Sequence, residues 1–288
     1  MRTVERQRLL LYLGALVAGV LGVVGLLVFA NAGVAAVLAA VVLPVIAIAY
    51  LHDADVHERV PLNVLGLAAL TGGLAGAGLA LLARLYTEQL GVAQLAAMAQ
   101  GRPSLSLVLL LGVTVPLIAN LLMLAGPLLL RSWRRSLDEV TDGVILGVAS
   151  GVGFAAASTL VNYWPIMLAG YSPTGVVGVL EWAVTLVGLA TLRPLVHGIT
   201  GGLVAAGVWA ALLGRGQVTV PVAVGLGGSV VYGLVDFLAL SRGSLAVFVL
   251  HGVIVAALLM VLRFVIREER TPPPRMGEGA GGRGSTST

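Results

Sequence analysis

The chain of 288 residues contains no cysteine and no lysine, and only 10% of its residues are charged. Without cysteine there is no disulfide, no thiolate nucleophile and no cysteine metal ligand. The missing lysine bears on the stretch "DGVILGVASGVGFAAAST", Asp142 to Thr159, which has four glycines in eleven residues. A phosphate-binding loop needs a Lys after its glycines and a preceding buried strand, so this stretch is not one. Gly143, Gly147 and Gly151 lie four apart, on one face of a helix. Small residues at that spacing let two helices approach closely in lipid. Soluble domains carry about 25% charged residues, so the scarcity of charge excludes an ordinary soluble domain and, with it, nucleic-acid binding.

What is present is hydrophobic: 58% of residues, with a mean hydropathy of +1.03. The apolar runs are about 20 residues long, the length that crosses a bilayer as a helix. No short alternating segments of the kind that build barrels are visible. The expected fold class is therefore all-α, a polytopic helical membrane protein. The net charge of +4 rests entirely on arginine and suits anionic headgroups.

Eight spans read as Leu9–Ala30, Ala32–Leu51, Leu62–Ala83, Leu105–Leu130, Gly143–Tyr163, Leu195–Leu213, Val218–Leu240 and Leu245–Ile266. The first follows a basic start, "MRTVERQR". Its apolar core exceeds the 7–15 residues of a cleavable signal, so it reads as a retained signal-anchor despite the cleavage-like "ANA" at Ala30–Ala32. A further segment, Thr174–Leu192, is ambiguous because Glu181 sits at its centre. If it crosses, there are nine spans and the arginines divide nine to eight across the membrane; if it is re-entrant or interfacial, there are eight spans and they divide thirteen to four. The positive-inside rule favours eight, with the N-terminus cytoplasmic. Residues 1–270 form the membrane domain, and the Pro- and Gly-rich tail 271–288 is expected to be disordered.

Ionisable and strongly polar residues inside lipid are costly and are candidates for function. Here they are Asn120, Asp142, Asn162, Glu181, His197, Asp236 and His251. Each also has a plain structural reading. His197 is expected as a neutral histidine bonded to a neighbouring helix, His251 as a satisfied interior residue, and Asn120 as a bond across helices. Asp236 is expected to pair with Arg193 or Arg242 or to stay hydrated. Glu181 either pairs internally or lines a watery cleft. The loop "HDADVHE", His52 to Glu58, has metal-like composition but reads as a hydrated cytoplasmic loop, and Arg131–Arg135 with Trp133 reads as an interfacial anchor.

Four stretches carry a family resemblance: "YLHDADVHERVPLNVLGLAALTGGLAG", "DGVILGVASGVGFAAAST", "LRPLVHGITGGLV" and "VVYGLVDFLAL". Over roughly Tyr50 to Arg267 the chain resembles the PrsW-type intramembrane metalloproteases, and more distantly the bacterial CAAX-protease-like membrane proteins. The resemblance implies a helical membrane fold, a metal site and the bacterial inner (plasma) membrane. It also implies where the site residues fall. The family's pair of glutamates and the following Lys fall on Ala119, Asn120 and Met123; its Glu-Asn pair falls on Ser158 and Thr159; the His of its last motif falls on Tyr232. His197 and Asp236 remain site-like, with Glu181 and Arg193 as additional polar candidates.

Metal-assisted peptide hydrolysis needs about three protein ligands, an open position for water and a general base. One His and one Asp do not supply these. The expectation is a catalytically inactive, PrsW-like binding or scaffold protein for a transmembrane helix, a lipid or a partner subunit, with no cofactor. The alternatives are an active protease with an atypical zinc site built on His197 and Asp236, which requires Glu181 to approach both, and a structural subunit of a membrane complex or small transporter. The family-like pocket further requires Ser158 and His197 to lie at one depth, which holds only if Thr174–Leu192 does not fully cross.

Overall fold

The computed structural model describes residues 2–28, 32–54, 60–91, 100, 102–134, 137–168, 175–214, 218–238 and 244–270. The Ala30–Ala32 motif, most of the His52–Glu58 loop, Thr174, Arg135, Arg242 and the tail 271–288 fall wholly or in part outside the described residues. The described chain is helical, without strands: α1 (Arg2–Val28), α2 (Ala32–Ala54), α3 (Leu62–Glu88), α4 (Leu105–Trp133), α5 (Val140–Leu168), α6 (Gly175–Leu212), α7 (Thr219–Leu238) and α8 (Ser244–Arg270). Seven of these are long and apolar enough to cross a membrane; in α2 the apolar stretch Gly33–Ile46 is shorter. Large apolar side chains face outward, Leu74 being 68% exposed. Such a surface is a liability in water and is ordinary in lipid.

Helix α5 is the centre of the bundle, and glycine decides how its neighbours reach it. A Cβ on Gly143 would lie 2.8 Å from the Trp209 ring, one on Gly147 2.7 Å from the Ala205 Cβ, and one on Gly151 2.8 Å from the Gly198 nitrogen. These three glycines therefore form the contact with α6, antiparallel to α5. The opposite face of α5 meets α3 in parallel. A Cβ on Gly76 would lie 2.9 Å from Phe154 backbone, and one on Gly153 2.9 Å from the Ala69 Cα. Backbones approach this closely only where no Cβ intervenes. Gly19 against Val42 and Gly22 against Leu38 place α1 and α2 antiparallel at the edge, and that pair packs through Val23, Leu27 and Ala39 on Leu186 and Ala190 of α6.

The segment Thr174–Leu192 is neither a ninth crossing nor a re-entrant loop. Gly175–Leu212 is one continuous helix of 38 residues, about 57 Å long at 1.5 Å per residue. It has no internal turn, so it crosses once and overshoots a hydrocarbon core about 30 Å thick. The sequence boundary at Pro194 misleads because this proline sits inside the helix and is buried among neighbours. Neighbouring helices support a proline in a membrane helix that would break one in water. Beyond Leu212 the helix stops at Gly214, whose φ of 69° is the left-handed conformation of a C-terminal cap.

Among the described helices, neighbours in the order run antiparallel, which brings the start of α1 and the end of α8 to the same face. Along α5, Asp142 and Tyr163 are 21 residues apart, about 31 Å, which matches the hydrocarbon thickness. Near the first face lie Trp133 and Arg131, the latter 5.2 Å over the Trp209 ring. At the other lie Tyr163, Trp164 and Trp182, Tyr163 and Trp182 meeting edge-on at 6.3 Å. Aromatic rings gather at the two water-lipid boundaries.

Substituting Gly147→Leu should destabilise the detergent-solubilised protein by about 1–3 kcal/mol or more through overpacking. Gly78→Leu, where an added Cβ meets nothing within 4 Å, should be neutral or slightly stabilising because Leu is the better helix former. Thermal unfolding of the two variants beside the parent protein measures the difference.

Candidate functional site

Helices α3, α4, α5, α6 and α7 surround a cavity of about 240 Å³. Its floor is buried: Gly76 from α3, Ala119 and Met123 from α4, Phe154 from α5, and Ser229 and Tyr232 from α7. Its rim carries the exposed Asn162 and Asp236, at the end of the bundle away from the chain's N-terminus. Arg193 and His197 line the wall from α6, one helical turn apart. From Asn162 to Phe154 the cavity follows α5 for eight residues, about 12 Å.

Each wall owes its position to a local feature. In α4, Pro116 cannot donate to the carbonyl of Gly112, and the preceding Val108–Thr114 is wound as a π-helix. A widened turn of this kind accommodates the proline ring and turns Leu111 and Val115 toward the cavity. Just below, Asn120 donates from Nδ2 to the Ser229 hydroxyl at 2.5 Å and to the Pro116 carbonyl at 2.9 Å, joining α4 to α7. Ser150 donates to the Met123 carbonyl at 2.7 Å, joining α5 to α4.

The polar side chains of the interior are turned to the protein. Ser158 donates to the Ala155 carbonyl on its own helix at 3.1 Å. His197 is not bonded to a neighbouring helix: its Nδ1 lies 3.0 Å from the carbonyl of Arg193, one turn back on α6. Its ring is stacked on Phe154 at 5.3 Å and meets Tyr232 edge-on at 5.8 Å. Tyr232 in turn lies 4.3 Å from the ring of His251, which is buried with Nε2 unpaired, so His251 is not a fully satisfied interior residue.

Of the residues singled out from the sequence, Ala119, Met123, Ser158, Arg193, His197, Tyr232 and Asp236 all line this one cavity. Asn120 reaches it through Ser229. Thr159 is buried beside it with an unpaired hydroxyl and is not among the lining residues. Asp236 and Arg193 form no ion pair with each other or with any other described residue. Asp142 is remote; its carboxylate accepts the backbone N–H of Glu139 at 2.9 Å, the reciprocal half of a capping box at the start of α5. Glu181 neither pairs internally nor lines a cleft. It is exposed, beside the boundary residue Trp182 and about 24 Å along α6 from His197. The approach of Glu181 to His197 that an atypical metal site requires is absent. Ser229 and Phe154 were not visible as cavity residues in the sequence. The signal for Ser229 was its place three residues before Tyr232, on the same helical face.

The structure is a bundle of membrane helices enclosing a mainly apolar chamber, with glycine seams on both sides of its central helix. The profile of the PrsW family intramembrane metalloproteases matches residues 60–265, and the chain belongs to that family. No curated protein and no solved structure matches the chain. The family implies a catalytic metal ion, and the donors here do not fit one. Among the described residues no three His, Asp or Glu side chains converge. The cavity supplies His197 and Asp236; its other polar groups are amides, hydroxyls and a guanidinium, poor partners for zinc at neutral pH.

The Asn120–Ser229 bond should show coupling of about 0.6 kcal/mol, within the range for hydrogen bonds between membrane helices. A double-mutant cycle with Asn120→Ala and Ser229→Ala, read by unfolding in detergent, measures it.

Proposed function

We propose that this protein is a non-catalytic member of its family and uses the cavity to bind a membrane-embedded client. The observation that carries this reading is the content of the cavity. Where the resemblance places two glutamates and a lysine, a Glu-Asn pair and a histidine, this chain carries Ala119, Asn120 and Met123, Ser158 and Thr159, and Tyr232. Asn120 joins α4 to α7 through Ser229, and Ser158 donates to a carbonyl of its own helix. A site that lacks several ligands and its base at once loses far more than the 10²–10⁴-fold that one general base contributes. The glycine seams that shape the chamber are closely packed, which supports an intact fold able to bind.

Purified protein, incubated with zinc and membrane-anchored peptide substrates, should cleave nothing above a no-protein control, and His197→Ala should leave that result unchanged. Cleavage that requires zinc and disappears in His197→Ala contradicts the reading.

A further inference from the structure

The depth and lining of the cavity select among the clients a membrane offers. Its volume is about 240 Å³ and its lining is mainly apolar, the surroundings a hydrocarbon chain takes. Its rim residue Asn162 directly precedes Tyr163 and Trp164, so the mouth lies at headgroup depth. The floor lies about 12 Å deeper, inside the hydrocarbon.

The charges sit where a headgroup would. Arg193 lines the wall with a buried Nε that has no hydrogen-bond partner. The planar donors of a guanidinium match a phosphate. Asp236 stands at the same cavity, exposed on the rim and also without an ion-pair partner among the described residues. Below them, Ser158 and the Nδ1 edge of His197 are turned to their own backbone, and Met123 and Phe154 are apolar. A cation and a carboxylate, neither in an ion pair among the described residues, above a mainly apolar lining are complementary to a molecule with both charges at its head and a chain behind them.

We infer that the cavity is a lipid site for a phospholipid with an ammonium-bearing, zwitterionic headgroup: phosphate on Arg193, ammonium on Asp236, and one acyl chain directed between Leu111 and Phe154 toward Met123. This rests on the reading that the chamber binds rather than cleaves, and it names the occupant.

The test is native mass spectrometry of the full chain in neutral detergent. The probes are lysophosphatidylethanolamine, lysophosphatidylglycerol and monoacylglycerol of one chain length, and chainless glycerophosphoethanolamine. Lysophosphatidylethanolamine should be retained one per chain, at least tenfold over monoacylglycerol and clearly over lysophosphatidylglycerol, while the chainless head is not retained. Arg193→Gln and Asp236→Asn should each lower that adduct about tenfold, with Arg193→Lys recovering part of it. Ala83→Trp, which narrows the mouth without touching a charge, should abolish it. Unfolding midpoints equal to the parent's confirm that the charge variants fold. Headgroup-blind retention, or retention unchanged by both charge variants, overturns the inference. Equal retention of the chainless head overturns the lipid assignment in favour of a soluble ligand. These outcomes are separate from zinc-dependent cleavage, which would overturn the non-catalytic reading.

Discussion

The contact between the backbone of α5 and those of α3 and α6 is the constraint on which the other features rest. Helices in lipid gain nothing from the hydrophobic effect when they associate, because the solvent is as apolar as they are; close packing must hold them. Gly143, Gly147 and Gly151 on one side and Gly153, with Gly72 and Gly76 of α3, on the other remove the atoms that would keep the backbones apart. Once α5 is held between these partners, Ser158 and Phe154 are fixed at the depth of His197. Helices α4 and α7 close the ring through one proline, one π-turn and one Asn–Ser bond. The cavity is the space this arrangement leaves.

Much of this architecture was legible in the sequence because it follows from two simple signals, apolar length and glycine spacing. Runs of about 20 apolar residues have few alternatives to a spanning helix, and a four-residue glycine period has one helical face. The pocket was legible in part for a related reason. Placing Ser158 and His197 at one depth depends only on counting spans, and in the structure both line the same chamber.

Other features were hidden because sequence reports composition and not connection. The span from Leu195 and the ambiguous segment Thr174–Leu192 read as separate elements, because Pro194 and Glu181 interrupt the apolar pattern. Helix α6 instead runs continuously through Pro194, and Glu181 lies exposed beside Trp182 at the boundary. The bond of His197 to a carbonyl on its own helix, rather than to a neighbour, depends on ring orientation, and the π-turn before Pro116 depends on how one turn relaxes. Neither leaves a mark in residue order.

The fold and the site make different demands on the sequence. The scaffold requires small residues at a few positions, and these are present; metal chemistry requires about three converging carboxylates and histidines, and among the described residues the cavity brings together only His197 and Asp236. The most direct measurement of this separation is the zinc content, after dialysis against a weak chelator, of the parent protein beside a variant carrying Asn120→Glu, Ser158→Glu and Tyr232→His together. The account predicts no zinc on the parent and a bound ion on the variant, since His197 already stands in place. One zinc per chain on the parent protein would contradict it.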